Sequence, residues 1–350
     1  MKPLDDAKFS GTKKVDEKLL IHSAKLQPWI DENVPNAGRI KSIEQFKGGQ
    51  SNPTYKISTD MKDLVLRRKP PGKLLPSAHA VDREYKVITA LYETDVPVPK
   101  TYGLCEDDDV AGTAFFVMDF LDGDLFWDPM IPSMTNNDRT EIYKNKNKTL
   151  AKLHSVDYKK IGLDDYGKPG NYVARQVSRW SKQYRASETD NIEAMNNLIE
   201  WLPNNIPDDD ETSIVHGDYR LDNMILKNNK VIGILDWELS TLGHPIADFS
   251  YHCLSWRTQE AFWDEARLKE LGVPNEKEYM EMYCENTGKD LSKNWEFYMA
   301  YNMFKIAGIL QGILGRVRDG TAANKHAEER GMLVYPLSEA AWKIIEENLL

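Results

Sequence analysis

The sequence predicts an α+β fold in two lobes: a small N-terminal lobe with an antiparallel sheet and one main helix (residues 1–118), and a larger, mostly helical C-terminal lobe (119–350). Three observations predict it. Apolar residues alternate with period two between turn residues through much of the first third. Helical spacing dominates most of the remaining chain. The polar stretch from His216 to Asp248 then interrupts the helical part as loop, strand, loop. At 350 residues the chain is too long for one simple core and long enough for two lobes around a cleft.

Ile40 to Phe46 reads as a strand, Gly48-Gly49-Gln50-Ser51-Asn52-Pro53 as a turn, and Thr54 to Ser58 as the next strand. Leu64-Val65-Leu66-Arg67 is a third strand, ended by Pro70-Pro71-Gly72. Val81, Tyr85, Ile88 and Tyr92 recur at helical spacing, which predicts a helix over 80–92; Val96-Pro97-Val98-Pro99 cannot continue it. Phe115 to Met118 is the last strand of the lobe, and 119–124 crosses to the next. Asp138 with Glu141 predicts a capping box and a helix ending near His154. A second helix fits Tyr172 to Arg185, and helices resume from about Ala261.

Composition excludes several classes. An apolar fraction of 41% and a charged fraction of 29% are those of an ordered soluble protein. A net charge of −10 argues against nucleic-acid binding, which wants a basic surface. No run approaches the roughly 20 apolar residues of a membrane span, and the first eight residues lack a signal-peptide core. Cys105, Cys253 and Cys284 are odd in number and widely spaced. The expectation is reduced thiols in a cytoplasmic protein with no membrane or nucleic-acid partner.

The chemistry lies in His216-Gly217-Asp218-Tyr219-Arg220-Leu221-Asp222-Asn223, then Val231 to Leu235 running into Asp236. Asp218 and Asn223 leave one tight turn, and the strand delivers Asp236 opposite them. Phosphoryl transfer needs this set: a carboxylate to orient the attacking hydroxyl, and an amide with a second carboxylate to hold Mg²⁺ on ATP phosphates. Three further features precede it in order. The Gly48-Gly49 turn lets backbone N–H groups approach phosphates. Arg67 ends a strand, and Glu84 lies 17 residues on in the next helix, a pair able to hold the α- and β-phosphates. Singly, such features are hairpins and surface ion pairs. The ordered set is specific.

Val81-Asp82-Arg83-Glu84, Val96-Pro97-Val98-Pro99, His216-Gly217-Asp218 and Leu235-Asp236-Trp237-Glu238 resemble the signatures of the aminoglycoside phosphotransferase and choline kinase family, which has a protein-kinase-like fold. The resemblance runs from Gly48 to about Gly320. It implies that Asp218 is catalytic and that Asn223 and Asp236 bind Mg²⁺. It also implies that Gly48, Gly49, Gln50, Ser51 and Asn52 cover ATP, that Glu84 pairs with Arg67, that Met118, Asp119 and Phe120 hold the adenine, and that Asp248 braces the catalytic loop. Two positions depart from the pattern. Arg67 stands where the family usually has lysine, and its reach differs. Asp236-Trp237-Glu238 replaces the usual Asp-Phe-Gly.

Two lengths favour a small-molecule acceptor. About 60 residues separate His154 from His216, room for an inserted helical element (about 155–210) that walls a pocket. Only 12 residues separate Asp236 from Asp248, too few for a segment that docks a polypeptide. In the insertion Val173, Val177, Trp180 and Tyr184 share one helix face, with Arg175, Arg179 and Lys182 opposite. The plain reading is a core stripe with a solvated basic face; the sharper one is a basic wall for an anionic substrate, to which Arg316 and Arg318 could add. Trp237 and Glu238 are further candidate substrate contacts. His79 and His154 read as structural histidines.

Leu66 to His79, Arg179 to Tyr184 and Trp237 to Gly243 resemble the kinase domains joined to acyl-CoA dehydrogenases. That branch implies ATP- and Mg²⁺-dependent phosphorylation of a hydroxyacyl-CoA or related hydroxy acid. Charge agrees, since a CoA thioester wants Arg and Lys whereas a polycationic aminoglycoside wants carboxylates. The alternatives are an aminoglycoside kinase, a choline or amino-alcohol kinase, and a non-catalytic nucleotide-binding regulator.

Overall fold

The computed structural model describes residues 11–48, 52–72, 79–322 and 326–350. Six strands form one antiparallel sheet: β1 (Thr12–Lys13), β2 (Ile40–Phe46), β3 (Thr54–Thr59), β4 (Asp63–Arg68), β5 (Thr101–Cys105) and β6 (Phe115–Asp119), in the order β1-β2-β3-β4-β6-β5. Helices α1 (Ser23–Asn33), α2 (Val81–Leu91) and α3 (Asp108–Ala111) accompany it. The sheet is covered on both faces, which is why β4 and β6 are unbroken apolar runs. Leu64, Leu66, Phe115 and Val117 pack with Leu26 and Ile30 of α1. Val65, Phe116 and Met118 point the other way and join Val87, Ile88 and Leu91 of α2 in the main core.

The sequence reading placed β2, β3, β4, β6 and α2 and overlooked α1 and β5. Pro28 inside α1 hides that helix, and Gly103 inside β5 weakens the strand signal. Gly103 is there for packing: a Cβ would stand 3.1 Å from the Trp29 ring of α1.

The C-terminal part contains α4 (Asn136–His154), α5 (Tyr172–Ser187), α6 (Glu193–Trp201), β7 (Ser213–Val215), β8 (Met224–Lys227), β9 (Lys230–Ile234), β10 (Thr241–Gly243), α7 (Pro245–Cys253), α8 (Ser255–Thr258), α9 (Glu265–Leu271), α10 (Glu276–Thr287), α11 (Trp295–Arg318), α12 (Ala327–Gly331) and α13 (Val334–Asn348). Helices therefore resume at Pro245, earlier than expected. The capping box of α4 also differs. Thr135 Oγ1 accepts the Asp138 N–H and the Asp138 carboxylate accepts the Thr135 N–H, so Asp138 is the partner of the cap rather than the cap itself.

Two short antiparallel pairs, β7 with β10 and β8 with β9, carry the polar stretch. Asp124 in the crossover and Leu226 in β8 exchange backbone hydrogen bonds of 2.7 and 2.8 Å. Gly123 permits this approach, since a Cβ there would lie 2.5 Å from the Leu226 carbonyl oxygen. The crossover is thereby stitched to the hairpin that joins Asn223 to Asp236. Among the described residues no helix is long and apolar enough to cross a membrane, and the three cysteines are free.

One core residue yields a stability prediction. The Lys146 ammonium on α4 lies 4.0 Å from the Tyr143 ring centroid, 5.5 Å from Tyr279 and 5.9 Å from Trp256. Burial pushes its pKa from 10.5 down to about 7. Because the folded value is depressed, the unfolded chain binds more protons between the two values, and stability rises with pH across that window. Lys146→Met should stabilise the fold by about 1–3 kcal/mol near pH 6. The gain should shrink steadily in thermal melts toward pH 9; a pH-independent gain would contradict this reading.

Candidate active site

The loop that leaves β7 at His216 is held from below by Asp248. Pro245 at the first position of α7 sets the helix start, which places Asp248 in its first turn. Asp248 Oδ2 accepts the His216 N–H and Oδ1 the Gly217 N–H, both at 2.9 Å. His154 Nε2 lies 3.2 Å from Oδ2, and its Nδ1 lies 2.6 Å from the Tyr283 hydroxyl. Burial pushes the Asp248 carboxyl up, but these donors and the His216 side chain outweigh it and hold it below the usual range. His154 is thus a structural histidine, as its sequence context suggested. Gly217 has φ +83°, and a Cβ there would meet the Leu239 carbonyl oxygen at 2.8 Å.

His216 ties this loop to the next strand. Its Nε2 donates to the Leu235 carbonyl at 2.9 Å, leaving Nδ1 to accept the Asp218 N–H at 3.3 Å. Asn223 Nδ2 donates to the Asp218 carbonyl (2.9 Å) and carboxylate (3.2 Å). That fixes the amide and leaves Asn223 Oδ1 free of both bonds. Burial raises the Asp218 pKa, with Arg220 and His216 pulling it down. Asp236 follows β9 with φ 61°, a left-handed conformation that aspartate tolerates better than most residues.

From the sheet side, Arg67 reaches in. Its Nε is 2.7 Å from Glu84 Oε2 and its Nη2 is 2.6 Å from Asp236 Oδ1. Burial pushes Glu84 up to about 7 against the pull of Arg67. Glu84 Oε1 accepts from Asn52 Nδ2 at 2.8 Å, and Asn52 Oδ1 lies 3.0 Å from His79 Nδ1. A polar chain therefore runs His79–Asn52–Glu84–Arg67–Asp236. His79 is structural as well.

Gly48, Arg67, Glu84, Met118, Asp119, Phe120, Asp218, Asn223 and Asp236 all line one cleft of about 770 Å³, within the range of small-ligand sites. Phe120 stacks on Phe46 with centroids 6.4 Å apart. The Asp119 carboxylate accepts from the Tyr102 hydroxyl at 2.7 Å.

Several expected ligand contacts are corrected. Asn52 is fully buried, and its amide is committed to Glu84 and His79, since a buried amide must be satisfied internally. Trp237 is also fully buried: its indole N–H donates to the Ile234 carbonyl at 3.0 Å and its ring lies 4.8 Å from His216, which makes it core. Arg175 donates to the carbonyls of Lys168 and Gly170, so its fork clamps a loop. Arg179, Lys182 and Glu238, by contrast, are exposed, and their expected contacts are not overturned. The charge of Glu238 acts on Arg67 and Glu84. Gly49, Gln50 and Ser51 lie outside the described residues. Arg220 was overlooked; it chelates Asp222 with Nε and Nη2 and keeps Nε 3.9 Å from Asp218 Oδ1. Its place between Asp218 and Asn223 was the available signal.

The donor set suits Mg²⁺. Among the described residues no three His, Cys, Asp or Glu side chains stand together as a metal cage. A hard cation held by one carboxylate, one amide oxygen and substrate phosphates requires none.

The sequence profile of the phosphotransferase enzyme family matches residues 42–283, more than half of the chain. The chain belongs to this family. Mouse acyl-CoA dehydrogenase family member 10 is 45% identical over 305 residues, which is 85% of this chain and 28% of that protein. The chain thus spans less than a third of that relative. A Ralstonia eutropha structure provisionally described as an aminoglycoside phosphotransferase superposes with TM-score 0.86 at 46% identity, covering 94% of this chain and 99% of the other. Choline kinase from Cryptosporidium parvum shares the fold at TM-score 0.65 and 12% identity, over 93% and 97% of the two chains. Membership of the phosphotransferase enzyme family and these superpositions agree on the kinase-like α+β architecture.

Proposed function

We propose that this phosphotransferase transfers the γ-phosphoryl group of ATP to a hydroxyl of a small molecule, and that the acceptor is a hydroxyacyl-CoA or related hydroxy acid. One observation carries the reaction: Asp218, Asn223 and Asp236 meet in a single cleft that also contains the Arg67–Glu84 pair. The acceptor class is supported by the kinship to an acyl-CoA dehydrogenase family member and by the cations near Asp218.

Asp218 accepts the hydrogen bond of the acceptor hydroxyl and aims its oxygen at the γ-phosphorus. Its raised pKa makes it a readier proton acceptor than an ordinary aspartate. Asn223 keeps Asp218 from rotating through its amide N–H bonds and presents Oδ1 to a metal. Asp236 presents Oδ2, its Oδ1 being held by Arg67. Mg²⁺ bound there would neutralise charge on the transferring phosphoryl group. Arg67 offers a cation to the α- and β-phosphates, with Glu84 setting its direction. Because the transition state is loose, this positioning outweighs base strength.

An ATP-consumption screen over hydroxyacyl-CoAs, hydroxy acids, aminoglycosides and amino alcohols tests the reading. Mg²⁺-dependent turnover with the first two classes is expected. A preference for the cationic classes would remove the acceptor assignment. No turnover with any class, together with nucleotide binding unchanged in Asp218→Asn, would leave a nucleotide-binding regulator instead.

A further inference from the structure

Three helices meet around a lysine that neither motifs nor periodicity singled out, and one of them, α7, carries the Asp248 that holds the loop before Asp218. Helix α11 packs on both α5 and α7, and a Cβ on Gly308 would lie 3.6 Å from the Trp180 ring. One turn earlier on α11, Lys305 interrupts the run Met303-Phe304-Lys305-Ile306-Ala307. Its ammonium lies 4.4 Å from the ring centroid of Tyr251 on α7. Among the described residues it has no carboxylate or hydrogen-bond partner. Burial pushes its pKa down; the carboxylates of Asp248 and Asp218 pull it up, and the Arg179 guanidinium of α5 pushes it further down. Tyr251 follows Asp248 by one turn of α7, and burial, with the Asp218 charge behind it, raises its phenol to about 12.

The two carboxylates near Lys305 have other commitments. Asp248 is held by the backbone N–H groups of His216 and Gly217 and by His154. Asp218, on the phosphoryl-transfer reading, takes the acceptor hydroxyl. The uncommitted charges facing this space are therefore positive, Lys305 with Arg179. A half-buried ammonium without a counter-ion is costly to keep, and a ligand anion would satisfy it.

We infer that Lys305 is the seat for the acceptor's anionic group: its ammonium, over Tyr251 and beside Arg179, holds a carboxylate or phosphate while the acceptor hydroxyl lies on Asp218. This rests on the phosphoryl-transfer reading and adds the group that selects the acceptor. A free hydroxy acid supplies a carboxylate, whereas a CoA thioester supplies phosphates. Cationic acceptors are repelled.

The test compares wild type, Lys305→Met and Lys305→Arg, with circular dichroism melts confirming folding. For the best anionic acceptor, Lys305→Met should raise KM by about 30-fold with KM for ATP little changed, and Lys305→Arg should recover most of the loss. Assays with 4-hydroxybutyrate, 3-hydroxybutyryl-CoA and 3-hydroxybutyryl-pantetheine separate the sources. A defect on the free acid marks a carboxylate seat, and one on the CoA ester but not the pantetheine ester marks a phosphate seat. Calorimetry of 4-hydroxybutyrate and of CoA binding to enzyme loaded with Mg²⁺ and AMP-PNP tests the seat without turnover. Binding lost in Lys305→Met, with turnover absent in all proteins, keeps the seat and refutes the transfer reading. Normal turnover with unchanged acceptor KM in Lys305→Met overturns the seat alone. Equal losses for ATP and acceptor, or no binding of either probe to wild type, also overturn it.

Discussion

Substituting Asp218 by Asn is expected to lower the phosphoryl-transfer rate by about 10³-fold with little change in nucleotide affinity. The replacement keeps the shape of the side chain, and the bond from Asn223 to the Asp218 backbone carbonyl survives it. What is lost is a carboxylate able to take the acceptor's hydrogen bond and its proton. The pH profile gives a second readout. Burial raises the Asp218 pKa above 3.8, so the acid limb of wild-type kcat/KM should lie higher than an ordinary aspartate would set it. That limb should vanish in the residual activity of Asp218→Asn. A variant retaining a tenth or more of wild-type turnover would show that the loop only positions groups and that Asp218 is dispensable, at odds with the usual weight of such a residue.

Asp248→Asn should produce the other large effect, on stability and catalysis together. Both carboxylate oxygens accept backbone N–H groups of the catalytic loop, at 2.9 Å each. An amide offers one oxygen and sets its own N–H₂ against the other donor. Leaving buried donors unpaired in such a network costs about 3–5 kcal/mol. The expected result is a lower urea midpoint, faster amide exchange at His216 and Gly217, and a fall in kcat. The sign with pH comes from the lowered pKa: the wild-type bonus is present above 3.8 and is lost as pH falls through the lower folded value. The variant should therefore approach wild-type stability only in strong acid. Unchanged amide exchange at His216 and Gly217 would show that the loop does not depend on Asp248.

The residues that meet in the cleft were legible to different degrees. Asp218, Asn223 and Asp236 lie within one short stretch, and a tight turn and a hairpin bring them together through local geometry alone. The sheet was legible wherever strands were unbroken apolar runs, as at Leu64 to Leu66 and Phe115 to Met118. It failed at β5, where Gly103 makes room for Trp29 at the expense of the strand signal, and at α1, where Pro28 interrupts the helical signal. Side-chain direction was the weakest reading. Trp237 sits beside Asp236 in sequence yet turns into the core, because its indole N–H finds the Ile234 carbonyl there. Arg175 shares a helix face with Arg179 but folds back to clamp Lys168 and Gly170.

Sequence alone determined the α+β class and the motif shared with the phosphotransferase family, because spacing over a few tens of residues is set by local turns. Tertiary structure decided what each buried polar group pairs with. Arg67 meets Asp236 across 169 positions, Asn52 is drawn to Glu84, and Lys305 comes to lie over Tyr251 from a separate helix. Such pairings arise from the cost of burying charge and hydrogen-bonding groups without partners, and the available partner is settled only once helices and sheet have packed.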